Sequence, residues 1–234
     1  MATGQDRGLT KLTGKMYEPM FRDFDRQLIG LLLRRDAFLD KVIAQEIPHL
    51  RADLKGKRLS DAANRYISQS LKRLGGDKAG VLLQVSIALR HQTADELRSV
   101  VEEHNLVRDA FLNRLIVLLR SSDMFLKALD LPTRIEWNRR DGTEDMPMSP
   151  LRAIEETLWD PFHYLRAACQ TRHGCGLHLL QFPQQLVALS CYIDDEQVPG
   201  TQAYRERDEE NRLLLLEGLA DFEANLTPIK NQGA

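Results

Sequence analysis

Residues 84–120 read QVSIALRHQTADELRSVVEEHNLVRDAFLNRLIVLLR, and this stretch combines one strand-like run with two helical runs. In its first seven residues, the apolar side chains of Val85, Ile87 and Leu89 alternate with smaller or polar ones. Alternation with a period of two is typical of a strand that buries one face and exposes the other. The sequence therefore predicts a short strand over residues 84–90, with Val85, Ile87 and Leu89 in the core.

Two amphipathic helices are predicted directly after this strand. Thr93 and Glu96 have the spacing of a capping box, which opens a helix, and Asn105 can end that helix in a left-handed turn. Apolar residues recur at helical spacing again over residues 110–119. A lone strand of this length has unpaired edges and does not fold by itself, so the chain must supply a second strand.

A second strand–helix–helix set is predicted upstream, over residues 27–76. Its strand would be the apolar run 27–34. Its first helix would follow Asp36 and be interrupted at Pro48, and its second helix would start at Ser60 and end at the glycines 75–76.

Two internal alignments relate these sets to each other. The alignment that we prefer places residues 59–71 on residues 107–119 as the two second helices. The other matches the segment RDAFL at 35–39 with the identical RDAFL at 108–112, which we interpret as two helices with similar core demands.

The order strand, helix, helix resembles that of the ribbon-helix-helix family of DNA-binding proteins. In that family two strands pair antiparallel and lie in the major groove, where outward side chains contact base edges, while the second helices point their N-termini at phosphates. The resemblance covers residues 21–125 and implies an intramolecular pseudo-dimer, which relaxes the need for a palindromic site. The DNA-contacting residues that it implies are Gln84, Ser86, Ala88 and Arg90 on the strand, and Lys57, Arg58, Ser60 and Arg108 at the starts of the second helices.

Beyond residue 131 the chain resembles no family that we identify. We expect a mostly α-helical protein with a small two-stranded antiparallel ribbon and a C-terminal α+β domain. The expected divisions are a mobile leader at 1–20, a tandem ribbon-helix-helix module at 21–131, a linker at 132–150, the α+β interaction domain at 151–226 and a tail at 227–234.

The composition is that of an ordinary globular protein, with 43% apolar residues, 28% charged residues and a net charge of −2 over 234 residues. This charge excludes a generally basic nucleic-acid coat, so a DNA-binding face must be local, and residues 51–78 are such a basic stretch. No apolar run reaches the ~20 residues that span a bilayer, and no secretory signal opens the chain. Three cysteines do not suggest a disulfide framework, so we expect the cytoplasm.

Histidine and cysteine cluster in one part of the chain, at His163, Cys169, His173, Cys175, His178 and Cys191. Both residue types bind zinc, but the paired Cys-x2-Cys spacing of zinc modules is missing, and free cysteines commonly act as small buried hydrophobes. The sequence also lacks a phosphate-binding glycine loop, a His-Glu-x-x-His motif and a Gly-x-Ser-x-Gly motif. We therefore expect no metal, no cofactor and no enzymatic activity.

These observations predict a DNA-binding protein, either a transcriptional regulator or an accessory factor of a mobile element, with double-stranded DNA as its ligand. The C-terminal domain would bind a protein partner or support a homodimer, and no membrane contact is expected. Because neither face of the run 27–34 is polar, the alternative is a protein-interaction scaffold or antitoxin-like protein that has lost groove recognition.

Overall fold

The computed structural model describes residues 8–74, 82–141, 154 and 158–226 of the chain. Contacts divide the chain after Tyr192 into two compact units. The elements of the first unit are, in chain order, β1 Leu9–Tyr17, α1 Glu18–Gly30, α2 Arg35–Asp53, α3 Asp61–Leu74, β2 Leu82–Arg90, α4 His91–His104, α5 Arg108–Leu119, α6 Asp123–Ala128, α7 Arg134–Asp141 and α8 His163–His173. The expectation of a mostly helical protein with a small antiparallel ribbon is confirmed.

β1 and β2 pair antiparallel over nine residues each and form the two-stranded ribbon. Val85, Ile87 and Leu89 are buried on its inner face, as their alternation predicts. Met16 of β1 is fully buried on the same face. The ribbon therefore has one face in the core and the other turned outward.

The first strand does not lie in the run 27–34, because residues 27–30 are the end of α1. The buried side chains of α1 are Phe21, Phe24 and Leu28, which have helical spacing and begin ahead of that run. Only the end of this stripe falls within residues 27–34, where it is followed by the exposed Leu31. The run 27–34 looks like a strand when it is considered alone, but its first residues are the end of an amphipathic helix that begins at Glu18.

The predicted mobile leader is wrong for residues 9–20, which form β1 and the first turn of α1. Residues 1–7 lie outside the described part of the chain. In β1, polar residues at 11, 13 and 15 alternate with Leu12, Gly14 and Met16. This strand carries little large apolar surface of its own and depends on its pairing with β2, so its composition alone does not reveal it.

The first compact unit contains a repeat with a constant offset of 73 positions. β2, α4 and α5 begin at Leu82, His91 and Arg108, each 73 positions after the starts of β1, α1 and α2. This offset superposes the two RDAFL segments, so both second helices begin with the same five residues. The preferred alignment of 59–71 on 107–119 is therefore wrong, and α2, not α3, is the second helix of the first copy.

The repeat extends past the second helices. α3 and α7 begin at Asp61 and Arg134, which are also 73 positions apart. The hydroxyl groups of Ser60 and Thr133 cap them by accepting a hydrogen bond from the backbone N–H three residues on, at 3.0 and 3.3 Å. Each copy therefore consists of a strand and the helices that follow it, and the segment corresponding to α2 is divided into α5 and α6 in the second copy.

Two local predictions fail within the helices. α2 runs through Pro48 without interruption, and its buried neighbours Ile47 and Leu50 pack the helix into the core, which offsets the lost backbone hydrogen bond. α4 begins at His91, directly after β2, and Thr93 is buried in the first turn instead of capping it. Asn105 does end α4 in a left-handed conformation, as predicted.

Residues 163–192 belong to the first compact unit, so the chain does not divide within the predicted linker at 132–150. In the described part of the expected α+β domain at 151–226 there are helices and turns, including a 3₁₀ helix at Gln184–Leu189, but no strand. In the apolar segment that follows α8, the backbone oxygens of Leu177, Leu180 and Leu189 accept hydrogen bonds from the buried side chain of Arg114 on α5. These oxygens therefore bond to a side chain and not to a neighbouring strand. Residues 142–150 lie outside the described part of the chain.

The second compact unit begins at Ile193 and contains the short 3₁₀ helix Asp195–Gln197 and the long helix α9, Gln202–Leu226. Asp194 and Gln197 form a capping box around the short helix. The four consecutive leucines at 213–216 of α9 are each more than half exposed. The predicted tail at 227–234 lies outside the described residues.

The turns between the first and second helices of the two copies share a left-handed residue. Leu32 (φ 59°) and Asn105 (φ 54°) occupy equivalent positions. Asparagine tolerates this conformation, whereas leucine is strained in it by about 1 kcal/mol. Leu32 is 93% exposed, so its replacement removes little packing.

We expect Leu32→Asn to raise the free energy of unfolding by about 0.5–1 kcal/mol, because it relieves this strain. Urea denaturation followed by circular dichroism measures the change. Leu31→Asn is the matched control, since Leu31 is also exposed but has an ordinary φ of −88°. An equal gain in both variants would assign the effect to the loss of exposed apolar surface and not to the backbone.

Candidate nucleic-acid interface

The outer face of the ribbon is polar at its centre, which consists of Lys11, Thr13 and Lys15 from β1 and Gln84, Ser86 and Ala88 from β2. All six residues are exposed except Ala88, which is half-buried. The exposed Leu9 and Arg90 lie at one end of this face, and the half-buried Tyr17 and Leu82 lie at the other. Neither strand contains an acidic residue, so the charge of this face is positive. A two-stranded ribbon is one of the few elements that the major groove of DNA, about 12 Å wide, can admit.

A pseudo-twofold axis passes through the centre of this face. Thr13 faces Ser86 in the register of the ribbon, and these two residues are 73 positions apart, so they are equivalent in the two copies. Their hydroxyl oxygens lie 3.3 Å from each other. On either side of this pair, Lys11 faces Ala88 and Lys15 faces Gln84.

Both outer edges of the ribbon are covered by side chains from the starts of the second helices. A carboxylate oxygen of Asp36 on α2 accepts a hydrogen bond from the backbone N–H of Ala88 at 3.0 Å. Its equivalent, Asp109 on α5, accepts one from the backbone N–H of Lys15 at 3.1 Å. The identical RDAFL segments therefore perform the same structural task in both copies.

One helical turn later, the same arrangement recurs. Asp40 accepts a hydrogen bond from the backbone N–H of Arg90 at 2.9 Å, and its equivalent Asn113 accepts one from Tyr17 N–H at 2.8 Å. These contacts satisfy backbone donors that would otherwise make each strand an open edge. The ribbon is thereby fixed to both second helices at its edges. The four side chains that hold it bond to the edges of the strands and not to the outer face.

Arg35 and Arg108 form an equivalent pair of cations at the rim of the ribbon. The guanidinium of Arg35 donates to the backbone oxygen of Ser86 at 3.3 Å, and that of Arg108 donates to the backbone oxygen of Thr13 at 2.7 Å. Each also pairs with the aspartate that follows it. Their side chains remain 30% and 38% exposed.

The residues predicted on β2 lie where the sequence places them. Gln84, Ser86 and Arg90 are exposed, and Ala88 is half-buried between them on the outer side. The Nε of Arg90 also donates to a carboxylate oxygen of Asp40 at 2.6 Å, which holds this arginine at the end of the ribbon. Arg108 lies at the rim, as described above.

The other three predicted residues, Lys57, Arg58 and Ser60, lie elsewhere because they precede α3 and not the second helix of the first copy. Arg58 donates to the backbone oxygens of residues 102 and 103, at the far end of α4. The Nζ of Lys57 lies 4.7 Å from the ring centre of Tyr192. Since α4 has 14 residues, its two ends are about 20 Å apart, and these side chains lie well away from β2.

Sequence reasoning missed four residues of this surface, namely Lys11, Thr13, Lys15 and Arg35. The alternation of polar residues at 11, 13 and 15 with Leu12, Gly14 and Met16 is a weak signal for the first three. The identical RDAFL segments are the signal for Arg35, because they place it in register with Arg108.

The cysteine–histidine cluster comes together only in part. The sulfur atoms of Cys169 and Cys175 lie 3.9 Å apart, and the Nε2 atom of His178 lies 3.1 Å from a carboxylate oxygen of Glu46. Among the residues that the structure describes, no three His, Cys, Asp or Glu side chains are arranged to hold a metal ion.

The titratable groups of this cluster are adapted to burial. Burial, reinforced by the neighbouring thiol of Cys175, raises the pKa of Cys169 to about 12, so its thiol stays protonated and weakly nucleophilic. For His178, burial lowers the pKa, but Cys191 and Glu46 outweigh it and raise the pKa to about 9. The side chains of His178 and Glu46 form a buried contact, and Glu46 also pairs with Arg166 on α8, so Glu46 joins α2 to α8 and to the residues that follow α8.

No protein-family model, curated protein or solved structure matches this chain. Within the described ranges, none of the helices is both long enough and apolar enough to cross a membrane. The geometry of the ribbon and its supporting helices therefore carries the functional inference by itself.

Proposed function

We propose that this chain is a DNA-binding protein of the ribbon-helix-helix type, in which one chain supplies both halves of the usual dimer. The observation that carries this proposal is the matched set of edge contacts made by Asp36 and Asp109. These contacts hold a polar, acid-free ribbon face on a pseudo-twofold axis, and that symmetry suits the near-twofold symmetry of duplex DNA.

In the proposed complex the ribbon enters the major groove. Lys11, Thr13, Lys15, Gln84, Ser86 and Ala88 face the base edges. Arg35, Arg108 and Arg90 lie at the rim and contact phosphates, together with the N-termini of α2 and α5. Lys57, Arg58 and Ser60 are outside the proposed contact surface.

The biological role that suits this proposal is that of a transcriptional regulator or an accessory factor of a mobile element, acting in the cytoplasm by binding and not by catalysis. The leucines at 213–216 of α9 offer a surface for a protein partner or a second copy of the chain.

Salt dependence provides the first test of DNA binding. Three arginines of the proposed surface, Arg35, Arg90 and Arg108, are placed to contact phosphates. Three neutralised phosphates give a log–log slope of about −2.7, so affinity for duplex DNA should fall by about 40-fold between ~50 and ~200 mM salt. Fluorescence anisotropy with labelled duplex measures this slope, and the absence of any binding at the lower salt concentration would refute the proposal.

Replacing the two ribbon lysines tests the surface itself. Lys11→Ala with Lys15→Ala should weaken binding to the preferred duplex by about 30-fold or more, because each good base contact contributes at least about 1 kcal/mol. The fold should be unaffected, since both side chains are exposed.

The matched control is Lys55→Ala with Lys127→Ala, which removes the same charge. Both of these lysines are exposed and follow or lie beyond the C-terminal ends of the second helices, away from the ribbon. Their replacement should change affinity by less than about threefold. If both pairs of substitutions weakened binding equally, DNA would be held by general charge and not by the ribbon.

A protein-interaction scaffold, or an antitoxin-like partner-binding protein, is the second candidate function. The observation that favours it is the exposed apolar turn between α1 and α2, where Ile29 is 66%, Leu31 67% and Leu32 93% exposed. In the second copy the equivalent turn is covered, because the backbone N–H of Leu59 and the oxygen of His104 form a hydrogen bond at 3.0 Å. This function would be favoured if light scattering showed association that Leu31→Ser with Leu32→Ser abolished, while the salt test above showed no DNA binding.

A further inference from the structure

The two strands of the ribbon have equivalent backbone positions but differ in their outward side chains. With the offset of 73 positions, Lys11 is equivalent to Gln84, Thr13 to Ser86 and Lys15 to Ala88. Only the central pair is chemically conservative, since both residues are hydroxyl-bearing. At the other two positions, a lysine of β1 is equivalent to a residue of β2 that carries an amide group or a methyl group.

The contacts that support the edges of the two strands, in contrast, are nearly the same. The edge bonds of Asp36 and Asp109 have lengths of 3.0 and 3.1 Å, and those of Asp40 and Asn113 have lengths of 2.9 and 2.8 Å. The two strands are therefore held at their edges by equivalent supports. Differences in base recognition must come from the outward side chains themselves.

Each end of the ribbon combines one residue from each strand. One end carries Lys11 and Ala88, and the other end carries Lys15 and Gln84. Lysine donates to the O6 and N7 acceptors of guanine, glutamine pairs with N6 and N7 of adenine, and the alanine methyl packs against the methyl group of thymine. The two ends thus match different pairs of bases.

We propose that the ribbon recognises a non-palindromic duplex site, in which Lys11 reads a guanine in one half and Lys15 reads a guanine in the other. The pseudo-twofold axis does not exchange these two positions, because it relates Lys11 to Gln84 and Lys15 to Ala88. The first half of the site additionally presents a thymine methyl to Ala88, and the second half presents an adenine to Gln84. This inference rests on the proposed function, since it specifies which DNA the ribbon reads.

A selection from a random duplex library tests the inference with three forms of the full chain. The first form is the wild type. The second, Lys11→Gln with Thr13→Ser and Lys15→Ala, gives both strands the outward set Gln-Ser-Ala. The third, Gln84→Lys with Ser86→Thr and Ala88→Lys, gives both strands the set Lys-Thr-Lys. All six substitutions fall on the outer face, away from the core, and the thermal melt of each form verifies its fold.

We expect the wild type to enrich a non-palindromic sequence and each symmetrised form to enrich a palindrome. The wild type should bind its own site at least about 10-fold more tightly than either palindrome. Each palindrome presents wrong bases to one of the two wild-type strands, and a wrong base pair costs about 1–3 kcal/mol. The single variant Lys11→Gln gives an independent measurement in case a triple variant does not fold. Its selected site should become symmetric at the position read by residues 11 and 84 and stay asymmetric at the position read by residues 15 and 88.

The possible failures are distinguishable. A palindromic site selected by the wild type would overturn the inference and leave DNA binding intact. A selected site that remained the same in Lys11→Gln and in both triple variants would also overturn it, because the outward residues would not be reading the bases. If no form bound duplex DNA even at low salt, the proposed function itself would fail, and this inference with it.

Discussion

Replacing Ile87 with aspartate is expected to unfold the ribbon and the compact unit built on it. Ile87 is 1% exposed and faces Leu12 across the ribbon. The substitution loses about 2–3 kcal/mol of apolar burial, and an unpaired carboxylate in the core costs several kcal/mol more. A total loss of about 5 kcal/mol or more is comparable to the whole stability of a typical domain. Circular dichroism should show the loss of cooperative thermal unfolding.

The adjacent substitution Ser86→Asp is the matched control, because it introduces the same side chain one residue away on the opposite face. Ser86 is exposed, so its replacement should change the free energy of unfolding by less than about 1 kcal/mol. The same variant should nevertheless lose affinity for DNA, since it places a negative charge at the centre of the proposed contact face. If Ile87→Asp were as stable as Ser86→Asp, the inner face of β2 would not be part of the core.

The second copy of the repeat could be predicted from the sequence because its signals are local. Val85, Ile87 and Leu89 alternate with small and polar residues in β2, and this pattern has no helical interpretation. Asn105 is a residue that accepts a left-handed conformation, and it ends α4 as predicted. Local propensity and tertiary packing agree in this part of the chain.

The first copy was mispredicted because its strand has weak local signals. Gly14 stands in β1 where Ile87 stands in β2, and an added Cβ there would lie 3.2 Å from a carboxylate oxygen of Asp109. β1 therefore has a glycine instead of an apolar side chain at the position where Asp109 approaches it. The more hydrophobic run 27–34 looked more like a strand, although it includes the end of α1.

The candidate site followed the same division. Residues of β2 were placed correctly from their alternation, whereas the phosphate contacts assigned to Lys57 and Arg58 depended on the wrong alignment of the two copies. The identity of RDAFL was in fact the decisive evidence, because Arg35, Asp36 and their equivalents each make the same contact with a strand. A five-residue identity carries more weight when its residues have a shared structural task.

The sequence does not predict that residues 163–192 belong to the first unit, and one reason is that a buried arginine, which no sequence pattern marks, joins this segment to α5. The guanidinium of Arg114 is fully buried and donates to the backbone oxygens of Leu177, Leu180 and Leu189 at 2.8, 2.8 and 3.2 Å. It also lies 4.0 Å from the ring centre of Phe182. Burial lowers the pKa of this guanidinium, but an arginine remains charged, so the carbonyl groups act as its solvation shell.

Replacing Arg114 with methionine is therefore expected to destabilise the first unit by about 3–5 kcal/mol. Methionine fills much of the same volume, but it leaves three buried carbonyl groups without their donor, and each unsatisfied group costs about 1–3 kcal/mol. Urea denaturation should show the loss, and limited proteolysis should cleave the variant within residues 177–189 faster than the wild type. Arg98→Met is the control, since Arg98 is exposed and pairs with Asp95 on the same helix, and its loss should cost less than about 1 kcal/mol. Equal midpoints for the two variants would mean that apolar contacts alone dock residues 177–189 against α5.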